Sequence, residues 1–161
     1  MSTTERVSAR PVTERRIKTV LDRHQMHYGT DDDGRIGTFH AGHLFRIAGE
    51  GGVLLIRTRW HRSVESGRAP VLHTLLRRWN ADLEPVLLTP VPWGAGLTVD
   101  ARAESGGPVR LTDSELYRAL SDSLEGALRA FALLDRHLGT QTGALTPTIG
   151  LGSTQRALGS A

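Results

Sequence analysis

Apolar residues recur at helical spacing in three stretches of this chain, and each stretch predicts an amphipathic helix. The helices are expected over about residues 13–27, 69–81 and 113–138. The third has the clearest start. Thr112 and Glu115 stand at the spacing of a capping box, in which each side chain bonds the backbone N–H of the other residue.

Between the helices, apolar and polar residues alternate with the period of two that is typical of half-buried strands. The strands are expected at 35–40, 43–48, 53–60, from 84–89 onward and at 97–102, after a short strand or extended link at 28–31. Pro90 and Pro92 donate no ladder hydrogen bonds, so their strand is expected at an edge, interrupted or bulged.

The strand over 53–60 separates two kinds of side chain. One face carries Leu54, Ile56, Thr58 and Trp60 and is expected in the core; the other carries Val53, Leu55, Arg57 and Arg59. That mixed face is typical of a sheet surface that is half covered or that meets a partner. Trp60 and Trp79 are expected to pack in the core, whereas Trp93 lies in a Pro-rich segment where packing is sparse.

The order of elements is α-β-β-β-α-β-β-α, which predicts an α+β domain over residues 13–138 with an antiparallel five-strand sheet and three helices. Residues 1–12 are expected to be a disordered N-terminus, and residues 139–161 a flexible tail rich in Gly, Thr, Ser and Leu. The third helix is long for so small a sheet. Its far half is therefore either a dimer or partner surface, or packs across the whole sheet.

Composition excludes several classes of function. The absence of cysteine rules out disulfides, thiolate zinc sites and a cysteine nucleophile. The net charge of +3 comes from scattered arginines, most with acidic neighbours, whereas a nucleic-acid binder clusters them with stacking aromatics. No apolar run approaches the roughly 20 residues that span a bilayer, and residues 1–10 lack the apolar core of a signal peptide. We expect no nucleic-acid or membrane partner and a cytoplasmic location.

No motif for catalysis is recognisable. The chain has no Gly-x-Ser-x-Gly elbow, no phosphate-binding Gly-x-x-x-x-Gly-Lys loop and no His-Glu-x-x-His zinc helix. His40, His43, His61 and His73 are the residues to weigh as metal ligands, but surface or core-edge positions explain them more simply. We therefore expect no catalytic residues, no metal and no cofactor.

Five features, taken in order, resemble the YbjN family. They are Arg16-Ile17 leading to Leu21 and Tyr28, the turn Asp33-Gly34, the strand end Trp60-His61-Arg62, Trp79-Asn80 followed by Pro85, and a long helix after Leu111-Thr112-Asp113. The resemblance covers about residues 13–138. It departs from the family where a lysine usually follows the proline and a tyrosine comes soon after, since Val86 and Leu88 stand here.

The resemblance implies a fold similar to that of type III secretion chaperones and a dimeric, non-catalytic domain that binds protein segments or serves in regulation. We expect a homodimer that acts as a chaperone-like or adaptor protein, with Arg57, Arg59, Arg62 and Trp93 in contact with the partner. Pairing of a partner segment with an edge strand is the expected mechanism. The alternatives are an accessory subunit of a peptide-modifying or biosynthetic complex, a small-ligand-binding regulator, and a metal-dependent enzyme that uses the histidines.

Overall fold

The chain folds, in a computed structural model, into an antiparallel sheet with helices against one of its faces; the structure describes residues 8–82 and 85–138. The helices are α1 (Glu14–Arg23), α2 (Ala69–Asp82) and α3 (Asp113–Leu138). The strands are β1 (Gly29–Thr30), β2 (Ile36–His40), β3 (His43–Glu50), β4 (Val53–Arg59), β5 (Val64–Glu65), β6 (Val86–Trp93) and β7 (Gly96–Gly106).

The predicted α+β class, the antiparallel sheet and the three helices are confirmed, but the strand count of five is wrong, because the described residues form seven strands. The two extra strands are both two residues long. β1 corresponds to the short strand or extended link at 28–31. β5 lies in a predicted loop, and it exists because Val64 and Glu65 pair with Leu97 and Gly96 of β7.

Strand order in the sheet is β1-β2-β3-β4-β7, and β7 is flanked on its other side by β6. β4 pairs with β7 from Val53↔Gly106 to Arg59↔Asp100, after which β5 continues alongside β7. β6 and β7 form a hairpin that is paired along the whole of β6. β6 is thus an uninterrupted edge strand despite its two prolines.

The core lies between the sheet and the helices. Trp60 is fully buried and Trp79 is 8% exposed, as expected, whereas Trp93 is 36% exposed. Alternation along β7 places Thr98 on the solvent side with Asp100 and Arg102, but Thr98 is fully buried. Its hydroxyl donates to the backbone oxygens of Trp60 and Arg62, so it closes the bend that follows β4.

Local signals set the helix ends. At the start of α3, the backbone N–H of Thr112 donates to Glu115 Oε2 at 2.7 Å and that of Glu115 donates to Thr112 Oγ1 at 3.2 Å, which confirms the capping box. α1 ends at Arg23, four residues before the predicted limit of 27. The reason is Gln25, whose φ of 55° lies in the left-handed region and cannot continue a helix.

Residues 1–12 were expected to be disordered, but residues 10–12 are fixed to the folded domain. Arg10 and Leu111 exchange two backbone hydrogen bonds of 3.1 Å, and Val12 is 2% exposed in the core. Arg16 holds this segment, because its guanidinium donates to the backbone oxygens of residues 10, 11 and 111. Residues 1–7 and the predicted tail, 139–161, lie outside the described residues.

The far half of α3 packs against its own chain. Phe131, Leu134 and Leu138 are at most 1% exposed, and they continue the stripe that begins at Leu116 and Leu120. The length of α3 is therefore explained by packing across the whole sheet. The apolar stripe of this helix leaves no surface for a second copy of the chain.

Candidate functional site

The face of the sheet opposite the helices is exposed, and we call it the open face. It includes Phe39 on β2, Leu44 and Arg46 on β3, Leu55, Arg57 and Arg59 on β4, Leu87 and Trp93 on β6, and Asp100, Arg102 and Glu104 on β7. Phe39 is 64% exposed, Leu87 53% and Leu44 36%, so this face exposes several large apolar side chains. The combination of exposed apolar and charged side chains on one flat surface makes the open face the leading candidate for a partner site.

Arg59 and Trp93, two of the predicted contact residues, meet on the open face. Arg59 Nε lies 2.6 Å from Asp100 Oδ1, and its NH2 group donates to Oδ2 at 2.9 Å. The same guanidinium lies over the Trp93 ring, 5.3 Å from its centroid. Asp100 raises the pKa of Arg59 chiefly by this hydrogen bond. The charge of Arg59 is thus already balanced within the sheet.

Arg57, another predicted contact residue, is exposed on the open face. It lies directly opposite Arg46 of β3 on one side and Arg102 of β7 on the other. Arg46 and Arg102 were missed by the sequence analysis. Alternation along a strand tells which face a residue lies on, but only the register shows which residues are its neighbours across the sheet.

Arg62, the fourth predicted contact residue, lies apart from the other three. β4 ends at Arg59, and the chain beyond it bends toward α3. Arg62 Nε is 3.6 Å from Asp135 Oδ1, and Asp135 also accepts a hydrogen bond of 2.9 Å from the indole of Trp60. The structure therefore brings Arg57, Arg59 and Trp93 onto the open face and places Arg62 on the helix side.

The outer edge of β6 is closed to a further strand. The side chain of Asn80 donates to Leu88 O at 2.8 Å and accepts from Leu88 N at 2.7 Å, as a neighbouring strand would. In an antiparallel ladder, every second residue points its N–H and C=O to the same side. Pro90 and Pro92 share the outward direction with Leu88, and they have no N–H to offer. Edge-strand pairing at β6 is therefore disfavoured.

The histidines weighed as metal ligands do not assemble into one set. The rings of His43 and His61 are 5.0 Å apart between centroids, beside Phe131 of α3. His40 is the cross-strand partner of His43 but is exposed, and His73 is exposed on α2. Across residues 8–82 and 85–138, no three His, Asp or Glu side chains are grouped so that they could hold a metal ion. Burial, and then the charge of His61, lower the pKa of His43.

A groove of about 370 Å³ lies between the end of α1, β2 and the middle of α3. Met26 and Tyr117 supply its apolar wall, and Glu125 is its acidic residue. Phe39 also borders the groove, but its register with Leu44 places its side chain on the open face. Tyr117 is held by a parallel stack on His24, with ring centroids 3.5 Å apart. The groove opens on the helix side of the sheet, where α3 faces β2.

None of the helices in the described part of the chain is both long enough and apolar enough to cross a membrane.

The YbjN family, described as "Putative bacterial sensory transduction regulator", matches residues 13–83, which confirms over this range the resemblance expected from the sequence. The matched range ends before β6, so it includes β3 and β4 of the open face but not β6 and β7. No protein with a curated description matches the chain.

Three solved structures are similar to this fold. YbjN from E. coli, described as "a putative transcription regulator", has a TM-score of 0.68 at 13% identity, with 81% of this chain and 96% of that chain covered. An uncharacterized protein from Methanothermobacter thermautotrophicus has a TM-score of 0.53 at 14% identity, with coverage of 78% and 99%. At these identities the likeness shows the fold alone.

The third is the type III secretion chaperone SycH of Yersinia pestis, in complex with a stable fragment of YscM2. Its TM-score is 0.46 at 11% identity, with 72% of this chain and 97% of that chain covered. We draw no functional conclusion from a likeness at this level.

Proposed function

We propose that this chain is a non-catalytic, chaperone-like or adaptor protein of the cytoplasm that holds a segment of a partner protein on its open face. One observation carries the proposal: a sheet face without a helix over it, on which Leu87 is 53% exposed beside Arg57 and Arg102. Exposed apolar side chains beside arginine are the composition of protein interfaces, where aromatic residues and arginine are enriched.

The geometry of the face favours a segment laid on the sheet over a strand added to its edge. Asn80, Pro90 and Pro92 block the outer edge of β6, whereas the open face offers side chains from several adjacent strands. Affinity then comes from side-chain contacts, namely apolar burial against Leu44 and Leu87 and ion pairs with the arginines.

The proposal is tested by site-specific photocrosslinking in the native host. A photoreactive residue at Leu87 samples the open face, and one at Val71, 49% exposed on α2, is the matched control. We expect one protein to be crosslinked at Leu87 and not at Val71, and to bind the purified chain. Equal crosslinking at both positions, or none at Leu87, contradicts the proposal.

A homodimer is part of the proposal, but the stripe of α3 no longer supports it, because that stripe is buried in its own chain. A second copy that used the open face would compete with the partner. Light scattering at micromolar concentration decides this. A monomer excludes the dimer and leaves the adaptor role intact.

A second candidate function, a regulator that binds a small ligand, is favoured by the groove beside Met26 and Tyr117. Its volume of about 370 Å³ lies within the range of small-molecule sites. Thermal-shift screening of metabolites against the purified chain and a Tyr117→Ala variant tests it. A compound that stabilises the wild type but not the variant supports this function, and no such compound counts against it.

A further inference from the structure

Three arginines form one row across the open face. Arg46 of β3 pairs in register with Arg57 of β4, which pairs with Arg102 of β7. Because adjacent strands lie about 4.8 Å apart, the backbone positions of the row span about 10 Å. Like charges directly opposite each other destabilise an antiparallel sheet. The row thus works against folding, and it requires an explanation other than stability.

Among residues 8–82 and 85–138, acidic side chains compensate only the ends of the row. Arg46 lies 3.8 Å from Asp31 Oδ2, and Arg102 forms an ion pair with Glu104, two residues along its own strand. Arg57, at the centre, is exposed and forms no ion pair or side-chain hydrogen bond within the described residues. The row therefore presents its least compensated positive charge at its middle.

Arg59, two residues after Arg57 on β4, has an acidic cross-strand neighbour where Arg57 has a basic one. The residue opposite it on β7 is Asp100, and the two side chains form a bidentate ion pair. The sheet therefore places an acidic residue opposite Arg59 and a second arginine opposite Arg57. This contrast distinguishes the row from an ordinary solvated strand face.

Apolar side chains flank the row and indicate what kind of molecule it meets. Leu87 of β6 lies in register with Arg102, at one end of the row, and is 53% exposed. Leu44 of β3, two residues from Arg46, is 36% exposed. A molecule that covers this surface needs anionic groups at its centre and apolar groups at its margin.

Acidic side chains on the same face argue against a nucleic acid. Asp100 and Glu104 lie two residues to either side of Arg102, so a continuous phosphate backbone laid over the row would meet negative charge on both flanks. Isolated carboxylates of a peptide can face the row without facing those residues. Carboxylates also match the bidentate geometry of guanidinium groups.

We propose that the partner segment of the adaptor is acidic and amphipathic, with carboxylates that pair with Arg46, Arg57 and Arg102 and apolar residues that cover Leu44 and Leu87. This inference rests on the proposed function and names the chemistry of its partner. On a helix, carboxylates at positions i, i+4 and i+7 span about 10 Å, which matches the length of the row.

The test uses three synthetic helical peptides with identical leucine positions and Glu, Gln or Lys at the positions facing the row. Binding to the full chain is followed by NMR chemical shifts. We expect the Glu peptide to bind at least tenfold more tightly than the Gln peptide, with shifts centred on Arg46, Arg57 and Arg102. The affinity should fall as salt rises, since exposed charges are screened.

Variants show whether the row itself is responsible. Arg57→Gln should weaken binding of the Glu peptide at least tenfold, whereas Arg129→Gln, the same charge change on the exposed side of α3, should change it less than twofold. Thermal unfolding of both variants checks the fold. Equal losses in the two variants overturn the inference.

The remaining outcomes separate the inference from the proposed function. Equal binding of the Glu and Gln peptides on the open face overturns the acidic partner but leaves the adaptor role standing. Tighter binding of a single-stranded oligonucleotide to the same residues overturns it in favour of a nucleic acid. If none of the three peptides shifts any open-face residue, the acidic partner is overturned, and crosslinking at Leu87 decides the adaptor role separately.

Discussion

Asn80 of α2 acts as a neighbouring strand for Leu88 of β6, because its carboxamide both donates to the backbone oxygen at 2.8 Å and accepts from the backbone N–H at 2.7 Å. The contact fastens α2 to the sheet edge. It also occupies the backbone groups that an edge strand otherwise offers to other chains.

Replacing Asn80 by alanine should lower the free energy of unfolding by about 2 kcal/mol, because it removes two hydrogen bonds to partly buried backbone groups. The opened edge should also increase self-association. Urea denaturation measures the first effect and light scattering the second. Arg78→Ala, an exposed change on the same helix, is the control. A loss no larger than in the control would show that water replaces the carboxamide at no cost.

Sequence patterns were sufficient for elements whose signals are local. The alternation from Val53 onward predicts β4 and its two faces, and the spacing of Thr112 and Glu115 predicts the start of α3. β5 has no such signal. Two residues do not establish a period, and Val64 and Glu65 become a strand only through pairing with a distant part of β7.

The candidate site could be predicted only in part, for the same reason. Arg57 and Arg59 follow from alternation within one strand. Arg62 does not, because the strand ends at Arg59 and the period of two no longer holds beyond it. The contribution of Arg46 and Arg102 depends on register across three strands, which a sequence without pairing information does not specify.

Trp60 combines burial with a hydrogen bond to a carboxylate, since its indole donates to Asp135 Oδ1 at 2.9 Å while the ring is fully buried. Trp60→Phe keeps most of the ring but leaves the carboxylate without this donor. We expect a loss of about 2 kcal/mol in the free energy of unfolding. Trp79→Phe is the control, since Trp79 is 8% exposed and its indole has no hydrogen-bond partner among the described residues. Similar losses would mean that ring size alone matters.

Asp113 neutralises the arginine that holds the N-terminal segment, with Arg16 NH2 2.8 Å from its Oδ1. The Arg16 hydrogen bond, ahead of the neighbouring charges, lowers the pKa of Asp113. A carboxyl whose pKa is lowered by folding stabilises the native state above its ordinary value of about 4, and this contribution disappears as the pH falls through the folded value.

Asp113→Asn should therefore reduce the free energy of unfolding by about 1 kcal/mol at pH 7, where the hydrogen bond to a charged group is lost. The difference from wild type should shrink toward zero at the acid end of the titration. Denaturant unfolding of both proteins across this range measures it. A difference that stays constant with pH would contradict the assigned role of the carboxylate.

His43 is expected to make the fold sensitive to mild acid. Its pKa is lowered by burial and then by His61, so the unfolded chain binds a proton at a pH where the native state does not. Stability should then fall as the pH drops below about 6.5, the ordinary value for histidine. Unfolding of wild type and His43→Phe between pH 7.5 and 5.5 tests this, with His73→Phe as an exposed control. The fall in the free energy of unfolding with falling pH should be smaller in His43→Phe than in the wild type and unchanged in His73→Phe.

Arg57 should be a residue whose replacement stabilises the free protein. Arg57→Glu turns the row of three like charges into one with an acidic residue between Arg46 and Arg102, and each new cross-strand pair is worth roughly 0.2–1 kcal/mol. We expect the free energy of unfolding to rise by about 1 kcal/mol at low salt and the gain to shrink at high salt, because exposed pairs are screened. Denaturant unfolding at two salt concentrations measures both. Arg129→Glu, on exposed α3, should give no comparable gain. A destabilised Arg57→Glu would mean that the row is not under electrostatic strain. The three arginines would then not be retained at the expense of stability.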